Sequence, residues 1–245
     1  MASSTIVNVN GNFSDAAMPL LPRDGLINPG SKFLFDFADS YCNNGNIAGA
    51  LPNGAVFKNL VDGAPNAING GTTTTLAAAG GLVFAGTSNG ATFLNLGLTY
   101  DLSALNAEFL VIGWAKVAAN VGNNRGLIGL GTSVSAYQYS LESNSGGTTL
   151  GNAPNTGAVM QVAYTRSPAG VSKVFAIGAP VSINGSAATT LADYSASPTR
   201  VGVSPSSIAM IGTIYRVYLE NLTISGASAA EQVLYDWVAN AGRFT

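Results

Sequence analysis

The residues with the greatest chemical potential in this 245-residue chain are few, and each lacks a partner that its chemistry requires. Gly86-Thr87-Ser88-Asn89-Gly90 has the G-x-S-x-G spacing of a nucleophile elbow. Such an elbow needs a strand-to-helix turn and a base to take the serine proton. The chain contains no histidine, and the residues after Gly90 read as a strand, so the motif is predicted to be a plain hairpin loop. The missing imidazole also removes the commonest metal ligand and proton shuttle. Paired carboxylates can cleave glycosidic bonds when two acids face each other at roughly 5–10 Å. Here Asp36, Asp39, Glu108 and Glu142 are scattered, and no tight acidic constellation is visible. Asp36 and Asp39, with carbonyls of Asn43 and Asn44, offer oxygen donors of the kind Ca²⁺ prefers. They lack a calcium-loop spacing, so a polar loop braced by Asx turns is the expected role. Gly129-Leu130-Gly131 lacks the third glycine and following helix of a dinucleotide site. It reads instead as a strand with small residues where another backbone approaches closely. No catalytic, metal-binding or cofactor-binding residue is assigned.

Composition narrows the partners. Only 9% of residues are charged and the net charge is −2, with no basic cluster of the kind nucleic acid requires. No apolar run is long enough for a membrane helix, and the N-terminus lacks a basic-then-apolar leader. Cys42 is the one cysteine, so no intramolecular disulfide forms, and it is expected to be a partly buried thiol in a loop. These features suit synthesis in a reducing cytosol. Asn-x-Ser/Thr sequons at Asn12, Asn184 and Asn221 then read as chance matches. A surface with so little charge repels its copies weakly, which favours self-association.

The positioning elements are mostly strands. Residues 1–31, with Pro19, Pro22 and Pro29, read as an extended N-terminal arm. Lys32–Phe37 alternates, placing Phe33, Phe35 and Phe37 on one face. Residues 38–80 are loop-rich, with a weak strand at 55–60. Strands are then predicted at 82–85, 92–96, 108–117, 126–130, 137–142, 160–166, 174–177, 199–203 and 212–224, separated by Gly, Asn, Ser and Pro clusters. Many short strands at such spacing predict an all-β sandwich in one domain over residues 32–245. Ser167-Pro168-Ala169-Gly170 suits a type I turn, and Asn184-Gly185 a type I′ turn. In the long closing strand, Tyr215, Val217 and Leu219 form one face. Arg216, Tyr218 and Glu220 form the other, which is expected to be partly wet. Ser228-Ala229-Ala230-Glu231 has the capping-box pattern and opens a helix over about 228–241. Its apolar stripe of Ala230, Val233, Leu234, Trp237, Val238 and Ala241 is expected to dock on the sandwich.

The order of segments resembles the laminin-G-like, concanavalin-like jelly roll, a fold also found in bacteriophage virion structural proteins. Residues 81–86 resemble that family's early strand with its small-residue turn. Residues 107–116 resemble the central strand with Trp114 near its end, and residues 159–166 the strand before a hairpin. Residues 212–219, followed by the capped helix, resemble the closing strand and helix. The resemblance implies a two-sheet antiparallel jelly-roll sandwich that binds proteins, glycans or calcium more often than it catalyses.

With the composition, this implies a non-enzymatic virion structural protein, a bacteriophage capsid decoration or head-fibre protein. It would be made in the host cytoplasm and act by protein–protein assembly. Its expected partners are the major capsid protein or other virion proteins, and further copies of itself in a homo-oligomer. The alternative is a lectin-like adhesin module that binds a surface glycan. Tyr137, Tyr139, Tyr194 and Trp114 are its candidate sugar-stacking aromatics, although Trp114 sits mid-strand among core residues.

Overall fold

A computed structural model describes residues 23–71, 74–86, 92–118, 125–133, 136–144, 152–154, 157–184, 189–203 and 209–244. The strands are β1 (Ser31–Asp36), β2 (Gly49–Ala50), β3 (Val56–Phe57), β4 (Ala67–Asn69), β5 (Thr74–Leu76), β6 (Leu82–Ala85), β7 (Leu94–Gly97), β8 (Phe109–Val117), β9 (Arg125–Ser133), β10 (Ala136–Asn144), β11 (Asn152–Pro154), β12 (Val159–Arg166), β13 (Ser172–Ala176), β14 (Ala179–Asn184), β15 (Thr199–Val201) and β16 (Ile211–Asn221). The helices are α1 (Ser40–Asn43), α2 (Leu222–Ser225) and α3 (Ala229–Asn240).

They form the expected two-sheet sandwich. One sheet runs β14-β13-β12-β8-β16-β6-β5-β2, and β1 also pairs with β16. The other runs β11-β10-β9-β15-β7-β4-β3. Every pairing between named strands is antiparallel except β10 with β11. β16 is the keystone. β8 lines one of its edges, while β6 and β1 share the other end to end, at residues 211–214 and 216–220.

Period-two alternation fills the space between the sheets. Phe33 meets Tyr100 edge-on, Phe37 meets Phe57 from the opposite sheet, and Phe109 meets Tyr139 of β10. Gly113 has no side chain where Leu127 and Leu141 press in from the second sheet. Loops between strands are held by short Asx turns. Asp24, Asn28, Asn69, Asn95 and Asp101 each accept from the amide two residues on. This use of Asn and Asp braces loop backbone without adding free surface charge.

Several sequence expectations are corrected. The predicted strand over 212–224 ends at Asn221, whose side chain accepts from the Ile224 amide (3.2 Å) and starts α2. The loop-rich stretch 38–80 holds, besides β3 within the expected weak strand at 55–60, α1 and the short strands β2, β4 and β5, too brief to leave a periodic signal. Of the predicted arm, residues 1–22 lie outside the described residues. Residues 23–30 pack against the sheet, with Leu26 fully buried. The face expected to be partly wet is dry: Arg216, Tyr218 and Glu220 are all buried. Residues 23–30 and α3 cover it from outside. An irregularity between Ile214 and Arg216 also breaks the alternation, and Tyr215 stacks on Phe244.

The hairpin turns divide in the same way. Ser167 accepts from the Gly170 amide (3.0 Å), as a type I turn requires. Asn184 ends β14, and Gly185 lies outside the described residues. The tight turn between β13 and β14, which was not expected from the sequence, is Ile177-Gly178, with φ of +47° and +80°, the arrangement of a type I′ turn. A β-branched residue at positive φ is strained. Ile177→Asn is therefore expected to stabilise the chain by about 1 kcal/mol, read as a raised urea midpoint with unchanged slope.

Candidate functional surface

Several acidic residues are committed to structure. Asp36 leaves β1 on the outer side of its sheet and accepts from Arg216 (3.0 Å) and from Arg243. Asp24 and Asp236 grip the same Arg216 guanidinium at 2.8 and 2.9 Å. Burial alone would raise the Asp24 carboxyl, but the Arg216 hydrogen bond and charge outweigh it and hold the group below its usual 3.8. Arg216 is in turn held well above its ordinary range: burial opposes its charge, but the carboxylates of Asp236, Asp24 and Asp36 prevail. Asp236 also accepts from Trp114 Nε1 (2.6 Å), Gln161 Nε2 (2.8 Å) and Asn240 Nδ2 (3.1 Å). This buried network fastens the N-terminal residues, β1, β16 and α3 together.

The calcium candidates do not converge. Asp36 faces the arginines, while Asp39 caps α1 by accepting from the Cys42 amide (3.0 Å). Asn43 Nδ2 donates to the Phe37 carbonyl, and Asn44 ends α1 in the left-handed conformation. Among the described residues no three His, Cys, Asp or Glu side chains are placed to share a metal ion. Cys42, expected partly buried in a loop, is fully buried in α1, and burial pushes its thiol far up. Glu142 accepts from Ser140, and Glu108 stands apart from it.

The remaining motifs resolve in part. Gly86 follows the end of β6, and residues 87–90 of the elbow-like motif lie outside the described residues. A Cβ on Gly131 would fall 2.5 Å from Tyr137 and the Ala136 carbonyl, so this glycine marks a close backbone approach. Asn221 is fully buried and closed to glycan attachment, and Asn12 lies outside the described residues.

The aromatic candidates also separate. Tyr139 is fully buried, its hydroxyl against Thr199, and Trp114 is buried beneath α3. Neither can stack on a ligand. Tyr137 and Tyr194 stay partly exposed. Burial lifts the Tyr100 and Tyr164 phenols from 10.0 to about 12. The folded state holds both neutral, so their stabilising contribution is whole below pH 10 and lost as pH rises through about 12. Alkaline titration should show the tyrosinate band rising together with loss of the circular dichroism signal across that window.

Two surface features remain. One is a cleft of about 370 Å³ on the outer side of the first sheet, lined by Glu108, Thr165, Ser167, Lys173 and the start of α3. Among the described residues, Glu108 and Lys173 form no ion pair. The other lies on α3. The helix docks through Val233, Asp236, Asn240 and Trp237, the last stacked on Trp114 at 5.3 Å and 4°. Sequence periodicity predicted a docking stripe that included Leu234 and Val238. Asp236 and Asn240 take those inward positions, because the buried arginine and tryptophan need polar partners. Ser228 caps the helix without a side-chain hydrogen bond, so the predicted capping box does not close. Leu234, Tyr235 and Val238 are left 51, 50 and 71% exposed. Ile177 and Val181, on the adjoining hairpin, are 53 and 61% exposed. Gly178 of that hairpin lies against Trp237, which joins the two groups into one strip.

No protein-family model matches the chain, and no curated protein matches it. Solved structures do. A sialidase from Trypanosoma rangeli, in complex with the inhibitor DANA, superposes over 93% of this chain at a TM-score of 0.58 and 13% identity. Domain 4 of AbnA, a GH43 extracellular arabinanase from Geobacillus stearothermophilus, in complex with arabinotriose, matches 84% of this chain and 97% of its own length. Its TM-score is 0.53 at 14% identity. The fold is the two-sheet β-sandwich of these domains. The binding domain of botulinum neurotoxin DC, in complex with rat synaptotagmin II, matches 80% of this chain and 52% of its own, at a TM-score of 0.53 and 8% identity. The chain spans only 36% of the sialidase, so the likeness concerns one part of that enzyme.

Proposed function

We propose that this chain is a non-enzymatic structural protein that acts by protein–protein assembly, in the manner of a bacteriophage capsid decoration or head-fibre protein. The observation that carries the reading is the apolar strip on α3 and the β13–β14 hairpin. Five of the eleven exposed large hydrophobic residues described lie there. Contiguous exposed apolar surface of this kind marks interaction sites. The low charge of the sequence fits a permanently assembled surface, and of the four acids weighed for catalysis Asp36 is held in the Arg216 network and Asp39 caps α1. The test is copy number. Particles from the source are compared with their main shell protein by quantitative mass spectrometry. A simple integer ratio supports decoration, a few copies per particle support a fibre, and absence from particles ends the virion reading.

A second reading, carbohydrate recognition, is favoured by the cleft at Glu108, Thr165, Ser167 and Lys173. Its mixture of donors and acceptors suits sugar hydroxyls, and its size falls within the range of small-ligand sites. A glycan array decides this reading. Binding lost in Lys173→Ala and Thr165→Val supports it, and an array without hits removes it.

A further inference from the structure

We infer that the apolar strip of one copy is the seat for residues 1–22 of a neighbouring copy. The inference rests on the assembly reading and names the partner at that surface. Three observations support it.

The strip adjoins an open sheet edge. Among the described residues β14 is the last strand of its sheet, it carries the exposed Val181, and it packs beside α3, so its outer edge has no strand partner there. Such an edge accepts an added strand.

The segment has matching chemistry. Val7 and Val9 alternate with Asn8 and Asn10, the pattern of a strand with one apolar face, and Phe13, Leu20 and Leu21 follow. Asp15 is its one charged residue.

The direction of the chain favours a neighbour over the same copy. Traced towards the N-terminus, Gly25 lies against Tyr235 of α3, Asp24 reaches Arg216, and Arg23 sits over the Tyr41 ring and pairs with Asp62 (3.1 Å). Over residues 25 to 23 the chain therefore runs away from its own α3. Pro19 and Pro22 favour extended backbone just before them. Fully extended, the segment spans roughly 75 Å, against a radius of gyration of roughly 18 Å for a domain of this length. It can cross to another copy with length to spare.

The experiment uses full-length variants and sedimentation velocity. Val7→Asp/Val9→Asp spoils the segment, Leu234→Arg/Val238→Arg spoils the seat, and Leu105→Arg alters an exposed apolar residue elsewhere as a control. All five positions lie outside the core or outside the described residues, and unchanged melting temperatures confirm folding. The wild-type chain and the control should be oligomeric, and each double variant monomeric. Mixing the two double variants should give one-to-one heterodimers, because one supplies a sound segment and the other a sound seat. A monomeric wild-type chain overturns the inference, as do double variants that stay oligomeric. Chymotryptic protection at Phe13 that persists undiminished on dilution places the segment on its own copy and also overturns it. If the segment variant stays oligomeric while the protein still appears on particles, this inference fails and the assembly reading stands. If the protein is absent from particles, the assembly reading itself fails.

Discussion

Arg216→Met is expected to destabilise the chain by about 3–5 kcal/mol, the cost of breaking a buried ion network by removing one partner. The guanidinium has 2% side-chain exposure and is gripped by Asp24, Asp36 and Asp236. Without it, three carboxylates share the site with Arg243 alone. Dispersion gained by the methionine does not offset uncompensated charge in a dry setting. The thermal midpoint should fall by roughly 6–20 °C for a domain of this length. The pH dependence identifies the cause. Carboxylates stranded by the substitution can escape the penalty by taking up protons, so the gap between variant and wild type should narrow at acid pH. The wild type behaves oppositely. Because the Asp24 carboxyl is depressed, its contribution is present above 3.8 and is lost as pH falls through its lower folded value. Calorimetry of both proteins at neutral and acid pH checks this. A gap that is the same at both would mean that packing, not charge, is what Arg216 contributes.

Trp114→Ala is the second large effect, again about 3–5 kcal/mol. The indole fills the layer between β8 and α3, stacked on Trp237 and edge-on to Phe244. Its Nε1 donates to Asp236, so truncation also removes one donor from the buried carboxylate. Since the chain has two tryptophans, emission from the variant reports Trp237 alone. That emission should shift to the red as water enters beside α3. An unshifted spectrum with full stability would mean that α3 is held without the indole stack.

How far the sequence reveals this molecule depends on the kind of signal. The long strands β8, β12 and β16 are legible because their branched and aromatic residues are dense and their span exceeds one period. The short strands β2, β4, β5 and β11 have two or three residues each, too few for a pattern. Their existence is decided by the strands they pair with, not by a pattern of their own. The type I′ turn was expected at Asn184-Gly185 because that pair suits positive φ. Gly185 lies outside the described residues, and the type I′ turn at Ile177-Gly178 was not legible because the packing of Gly178 against Trp237 overrides the local preference of Ile177. The candidate surface was misread for a related reason. Periodicity assigns apolar side chains inward, whereas on α3 two of the inward positions are the polar Asp236 and Asn240. What would have pointed to this is the arginine at the centre of the closing strand. A cation amid residues of a keystone strand calls for carboxylates from other elements, and Asp24, Asp36 and Asp236 supply them.

The place of β16 also bears on how the chain is made. Its residues 211–221 join β1, β6 and β8, so the larger sheet has a gap at its centre until residue 221 of 245 has been made. During synthesis β1 waits for a partner some 180 residues downstream. Non-local pairing of this kind folds slowly and exposes strand edges meanwhile. A chain interrupted shortly before residue 211 would present open edges of β1, β6 and β8 together. Premature termination should therefore yield aggregates rather than a smaller folded domain, and in cells the yield of this protein should track chaperone supply more than codon choice.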